Sequence, residues 1–342
     1  MTMSGDELVR VQNLRLIFET MYGTVKALNG VDLSIRRREV LGLVGESGCG
    51  KTALGLSIIR LLPTPPGKIL DGNIYFGGRD LTKLSDREMD RVRGTNITMI
   101  FQEPMSALNP VFTVGDQIAE SIKVKARRYL EDSRRRKADM LSVRPQSKNS
   151  WSKQVVEALN LVRISDPDSV VHRYPHELSG GMRQRVMTAM ALAAEPSLMI
   201  ADEPTTALDV TTQAQVLKLM RQLKEEVDTS ILFISHDFGV IAEISDRVAV
   251  MYAGNIVEEA SVYELFENPL HPYTKGLLSS LPSIGSKNKR LKTIPGEVPS
   301  LIAPPNGCVF HPRCEKMGRE CSMIAPKLME VAPNHKVACL AS

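Results

Sequence analysis

The stretch Gly45-Glu46-Ser47-Gly48-Cys49-Gly50-Lys51-Thr52 constrains this chain more than any other. It follows the apolar run Val40 to Val44 and precedes the helix-prone run Ala53 to Arg60. Strand, glycine loop and helix start, in that order, are the context in which GxxxxGK[ST] forms a P-loop. Gly48 and Gly50 let the backbone turn tightly enough to aim successive N–H groups inward, and the helix beginning near Lys51 adds the positive end of its dipole. Such a concavity holds polyphosphate. Lys51 reaches the β- and γ-phosphates as a point charge, and the Thr52 hydroxyl ligates Mg²⁺. A glycine-rich turn that matches by accident arises on the order of once per 100 chains of this length, and the strand-helix context makes it rarer still.

A length of 342 residues predicts one large α/β domain with a smaller appendage. No window approaches the ~18 consecutive apolar residues of a membrane span. The run Val186 to Ala194 stops at Glu195-Pro196, and Met1 to Leu8 contains Asp6 and Glu7 and no apolar signal core, which predicts a cytoplasmic protein. The net charge of +4 is too small to point to nucleic acid, and no nucleic-acid partner is expected. The charge is uneven. Lys123 to Lys148 hold ten basic residues against three acidic ones, a local +7 that leaves the rest of the chain at −3. A solvated helix face or insertion accounts for such a run, as does contact with lipid headgroups or an acidic partner.

Ahead of the glycine loop, Leu8 to Ile35 alternate apolar and polar residues around turn signals at Tyr22-Gly23 and Asn29-Gly30, which predicts antiparallel strands. Tyr22 is either a flat face for an adenine ring or a core or turn tyrosine; spacing alone does not choose. Ile97 to Phe101 reads as a buried strand ending at Gln102, at the strand end where α/β sheets bind ligands. Val114 to Asn160 reads as helical apart from the basic insertion around Pro145. Ser179 can cap the helix running through Met182 to Ala194, and Gly180-Gly181 leave its first N–H groups uncovered, making a second anion-binding helix start. Ser197 to Glu203 is an apolar strand ending in two carboxylates, Asp202 to orient Mg²⁺ and Glu203 to polarise an attacking water. A further strand, Ser230 to Ser235, ends in His236, read as a γ-phosphate contact.

Gln102, Leu178-Ser179-Gly180-Gly181, Asp202-Glu203, Ala207-Leu208-Asp209 and His236, in this order and spacing, closely resemble the nucleotide-binding subunit of an ABC transporter, over nearly all of Leu8 to Leu265. The resemblance implies an α/β P-loop NTPase core with an antiparallel β subdomain, a helical subdomain at about 103–195 with the basic insertion at about 123–150, and a loop-rich, cysteine-containing extension over 266–342. It implies that Tyr22 stacks on adenine, that Gly45 to Thr52 cradle ATP, and that Thr52, Gln102 and Asp202 serve Mg²⁺. Glu203 would be the general base, His236 the switch histidine, and Gln102 the link to the membrane domain. Ser179, Gly180 and Gly181 would bind ATP held by the opposite subunit, with Asp209 at the dimer junction.

His271-Pro272-Tyr273-Thr274 and Ile294 to Leu301 further resemble the oligopeptide/dipeptide importer ATPases. That implies an ATP-hydrolysing subunit at the cytoplasmic face of the membrane, working with a homologous but distinct ATPase chain, two permease subunits and an extracytoplasmic solute-binding protein. Peptides are the expected cargo, with oligosaccharides or nickel as alternatives. A non-transport relative acting on nucleic acid or ribosomes is the rival class, set aside because long coiled-coil insertions and a second nucleotide-binding domain are both missing.

Cys308, Cys314, Cys321 and Cys339 crowd the last 35 residues, whereas the preceding 307 hold only Cys49. In a cytosolic protein such crowding argues against disulfides, because that compartment keeps thiols reduced. Four thiolates suit tetrahedral Zn²⁺ or an iron–sulfur cluster, and spacings of five, six and seventeen intervening residues do not decide between them. Resemblance to the cysteine-tailed importer ATPases favours [4Fe–4S], a structural staple for a tail rich in proline. His311 and His335 rank low as substitute ligands.

Overall fold

The computed structural model describes residues 6–102, 107–135, 148–205, 209–281 and 293–341, so Ala207, Leu208 and residues 136–147 of the basic stretch lie outside the described residues. In chain order the first elements are β1 (Glu7–Thr20), β2 (Gly23–Arg36), β3 (Val40–Val44), α1 (Lys51–Ile58), β4 (Gly67–Phe76) and β5 (Arg79–Asp80). Next come α2 (Asp86–Val92), β6 (Ile97–Ile100), α3 (Val114–Arg135), α4 (Lys148–Leu161), α5 (Pro167–Val170), α6 (Gly180–Ala193), β7 (Leu198–Asp202) and α7 (Val210–Glu226). The last are β8 (Ser230–Ser235), α8 (Phe238–Ile244), β9 (Arg247–Tyr252), β10 (Asn255–Ser261), α9 (Val262–Glu267), α10 (Pro272–Ser279), β11 (Met329–Ala332) and β12 (His335–Val337). The chain divides into two units, Met1–Lys83 with Leu232–Ser342, and Leu84–Ile231.

In the first unit, β1 and β2 pair antiparallel as their alternation predicts, with Val11 opposite Leu33 and Leu16 opposite Leu28. Val9, Val11, Leu14, Leu16, Val31, Leu33 and Ile35 are buried, and the sheet runs β2-β1-β4-β5. A second sheet carries the glycine loop. Its strand β3 is buried throughout and runs parallel to β9, with Val44 opposite Val250. β9 turns into β10 through Ala253-Gly254, both with positive φ (45° and 77°), the geometry that suits a two-residue hairpin. Arg247 on β9 is buried beside Glu39 and Glu259, at 3.0 and 3.1 Å, so the charge sits among carboxylates.

Beyond α10 the described tail is mostly loop and turn, as expected. Its last residues form the hairpin β11–β12, and β12 adds to the sheet beside β10 with Val337 opposite Glu258. Phe310 packs edge-on against Tyr252 at 5.1 Å and beside Tyr273 at 5.4 Å. Strand addition and an aromatic cluster therefore hold this segment, and both draw on partners far away in sequence.

In the second unit, β6 and β7 run parallel, Ile97 beside Leu198 and Ile100 beside Ala201. Helices α3, α4 and α6 pack on one another through Ile118, Ile122, Val155, Leu159, Val186 and Ala189, all buried. The first half of the basic run is part of α3. Its Arg128 donates to the carbonyl of Arg93 and Lys125 pairs with Glu195, so these two charges are tied to their own unit. No described helix is long and apolar enough to cross a membrane.

Candidate functional site

The glycine loop leaves β3 at Gly45, where an added Cβ would lie 2.1 Å from the Met251 carbonyl oxygen, so only glycine fits against β9. The loop is anchored to the β9–β10 turn: the Gly254 N–H donates to the Cys49 carbonyl at 2.9 Å, and the Asn29 N–H to the Gly254 carbonyl at 2.9 Å. Gly50, at φ 111°, occupies the cap position of α1 and no side chain caps that helix start. The first N–H groups of α1 therefore stand ready for an anion. Lys51, 5% exposed, curls over the loop and donates to the carbonyls of Gly45 at 2.8 Å and Glu46 at 3.2 Å. Thr52 is exposed one residue further on. Cys49 is buried against this lysine, and burial pushes its thiol pKa up, which keeps it an inert neutral group.

Two other predicted residues share this unit. Tyr22 lies in the β1–β2 turn, which Thr20 closes by donating its hydroxyl to the Gly23 carbonyl at 2.7 Å. Its side chain is 85% exposed, which excludes the core-tyrosine reading. His236 follows β8 and is exposed, whereas the neighbouring Asp237 caps α8 by accepting from the Gly239 N–H at 2.8 Å.

The second unit brings together Gln102 and Glu203. They follow the ends of the parallel strands β6 and β7, and Gln102 Nε2 donates to Glu203 Oε2 at 3.0 Å. Asp202 ends β7 at 2% exposure, and Glu203 takes a left-handed φ of 46°, which turns the chain sharply at that carboxylate. Ser179 caps α6, accepting from the Met182 N–H at 3.3 Å, as its place before the helix predicts. Asp209 accepts from both the N–H and the hydroxyl of Thr212, at 3.0 and 2.6 Å, and those bonds hold its carboxyl below the usual range. The methyl of the same Thr212 lies 2.5 Å from where a Cβ on Gly181 would stand. Thr212 thus joins the α6 start to Asp209, a link that sequence spacing alone does not reveal.

The expected metal group at Cys308, Cys314, Cys321 and Cys339 is not assembled: among the described residues no three His, Cys, Asp or Glu side chains are placed to hold a metal ion. The four thiols do share one neighbourhood, since Cys308 feels the charge of the other three. Burial is the largest influence on the thiols of Cys308 and Cys314 and raises the pKa of both. His335 Nε2 meets buried Glu258 at 2.8 Å, and His311 Nδ1 meets the Cys308 carbonyl at 2.9 Å.

Sequence reasoning missed Arg313. Its guanidinium is buried and grips the Glu46 carboxylate of the glycine loop with two bonds, at 2.8 and 3.1 Å. Tyr273, noted only as part of a motif, accepts from the Glu46 N–H at 2.9 Å.

Residues 28–206 match the family model described as ABC transporter, and residues 257–321 match that of the oligopeptide/dipeptide transporter C-terminal region. The chain is 48% identical to a probable peptide ABC transporter ATP-binding protein of Sinorhizobium fredii, over 98% of this chain and 95% of the relative. It is 44% identical to the dipeptide transport ATP-binding protein DppD of Bacillus subtilis, over 98% and 94%. The oligopeptide transport ATP-binding protein OppD of the same organism is 47% identical, over 96% and 87%. Among solved structures, a dimeric ATP-binding cassette in a post-hydrolysis state with ADP and phosphate superposes with a TM-score of 0.62 at 25% identity, over 74% of this chain and 98% of that one. The chain belongs to the ABC transporter family, as an ATP-hydrolysing subunit with an ABC cassette fold and the C-terminal region of the oligopeptide/dipeptide transporters.

Proposed function

We propose that this ATPase drives the uptake of peptides through separate permease subunits at the cytoplasmic face of a membrane, with a solute-binding protein delivering cargo on the other side. Near full-length similarity to proteins named for peptide, dipeptide and oligopeptide transport, tail included, carries that reading. The ATPase partner is a homologous, distinct chain, as in the family resemblance.

In this reading the uncapped start of α1 and Lys51 take the phosphates of ATP, and Tyr22 offers its exposed ring to adenine. Thr52, Gln102 and Asp202 would serve Mg²⁺, which would supply positive charge against the phosphates; a buried carboxylate, a hydroxyl and an amide are the hard oxygen donors that this ion prefers. Glu203, held by Gln102, orients and deprotonates the attacking water, and His236 senses the γ-phosphate. Ser179, Gly180 and Gly181 contact ATP bound by the opposite subunit, with Asp209 at the junction. The gathered cysteines are the ligand set for a structural [4Fe–4S] cluster, with Zn²⁺ as the alternative; the support is four sulfur donors in one neighbourhood. Iron and acid-labile sulfide measured after anaerobic purification test that assignment, and protein free of both iron and zinc contradicts it.

The transport reading is tested by reconstituting the chain with the permeases and ATPase encoded beside it. Uptake of a labelled di- or oligopeptide that requires ATP on the subunit's side supports it; ATP-dependent uptake of another solute class with no peptide movement overturns it.

A further inference from the structure

Arg313 carries more contacts than a tail residue needs for folding alone. Its side chain is 5% exposed. Besides the two bonds to Glu46, it donates to the Tyr252 hydroxyl at 3.3 Å and to the carbonyls of Pro295 and Ile294 at 3.0 and 3.4 Å. These contacts engage the guanidinium fork on three sides and leave it no freedom to turn. Glu46 is held just as completely. Its carboxylate meets Arg313, its N–H meets the buried Tyr273 hydroxyl, and its carbonyl accepts from Lys51. The tail meets the nucleotide machinery a second time at the Tyr22 turn. The Leu301 carbonyl accepts from the Lys26 N–H at 2.8 Å, and Ile302 lies against Gly23, 3.0 Å from where a Cβ would stand.

We propose that Arg313 is a positioning residue for nucleotide binding: by fixing Glu46 it holds the first turn of the phosphate loop, so the C-terminal extension sets ATP affinity without touching ATP. This rests on the reading that Gly45 to Thr52 take the phosphates of ATP. The loop's N–H groups are useful only when aimed together, and a tethered Glu46 removes the first hinge through which they would disperse. The Arg–carboxylate fork supplies a direction as well as a charge, which lysine cannot reproduce.

The test measures binding of a non-hydrolysable MgATP analogue to the full-length chain, with an unfolding midpoint recorded for every variant. Arg313→Gln and Glu46→Gln should each raise Kd by about tenfold. Glu46→Gln/Arg313→Gln should bind no worse than the weaker single variant, because both remove one interaction. Arg313→Lys should fall between parent and Arg313→Gln. In steady-state hydrolysis by Arg313→Gln, KM for ATP should follow Kd while kcat stays near the parent value, a split that general loss of structure does not produce. Parent-like binding by Arg313→Gln, or losses that multiply in the double variant, overturns the proposal. Should Arg313→Gln fail to fold, Glu46→Gln decides, since it removes the carboxylate from the more exposed side of the pair and parent-like binding there is equally fatal. Lys51→Ala in the same assay separates the two levels: parent-like binding by that variant removes the underlying ATP reading, whereas weak Lys51→Ala with parent-like Arg313→Gln removes the brace alone.

Discussion

Thr212 shows what a single residue can do that its neighbours in sequence do not reveal. Its hydroxyl is fixed by Asp209 at 2.6 Å, so its methyl is fixed as well, and that methyl occupies the space beside Gly181. A Gly-Gly pair at the start of a helix is visible in the sequence as a departure from helix propensity. Its cause is not visible, because the side chain that demands a glycine comes from another helix 31 residues on. Gly181→Ala should destabilise the second unit by about 1 kcal/mol, the gain in helix propensity being outweighed by overpacking against a stiff β-branched side chain. Adding Thr212→Ser removes the methyl and keeps the hydroxyl, so the pair of substitutions should recover the parent's unfolding midpoint. A double variant no more stable than Gly181→Ala would place the strain elsewhere. Glu203 was noticed for a different reason, a carboxylate following an apolar strand, whereas Gln102 at its own strand end reads as a surface polar residue on position alone and gains weight only from the motifs that follow it.

At the scale of one element, α10 is set by its cap. His271 Nδ1 accepts from the Tyr273 N–H at 3.1 Å while the His271 backbone N–H donates to buried Glu258 at 3.0 Å. The ring is 1% exposed, and burial holds its pKa down to about 4 from an ordinary 6.5. Between those values the unfolded chain takes up a proton that the folded chain refuses. Stability is therefore complete above pH 6.5 and falls as the pH drops towards 4, by up to about 3 kcal/mol for a shift of this size. Denaturant unfolding of the parent and of His271→Asn, which keeps a capping acceptor, measures this; the variant should lose less stability across that window. Equal losses would show that the carboxylates alone govern the acid limb. The sequence offers His271-Pro272-Tyr273-Thr274 only as a motif; the ring lies beside Phe310 at 5.6 Å, and no local pattern points to that neighbour.

For the molecule as a whole, the order of strands ahead of the glycine loop and the strand-loop-helix itself were legible because their signals are local alternation, glycine placement and capping. The tail's anchoring was not. Its proline-rich sequence reads as loop, and the contacts that hold it, β12 pairing with β10 and Arg313 reaching a residue 267 positions away, are long-range. Chemistry that depends on such contacts leaves no period in the chain. Because Ser179 to Gly181 are assigned to ATP held by the other subunit, hydrolysis should rise more steeply than linearly with subunit concentration in a dilution series; strict proportionality down to a monomeric sample would contradict action in trans. The central claim, that this chain hydrolyses ATP with Glu203 as general base, is tested most directly by phosphate release from Glu203→Gln measured beside its nucleotide binding. The account predicts binding within a few fold of the parent and turnover reduced by roughly a hundredfold or more. Hydrolysis by Glu203→Gln at close to the parent rate would contradict it.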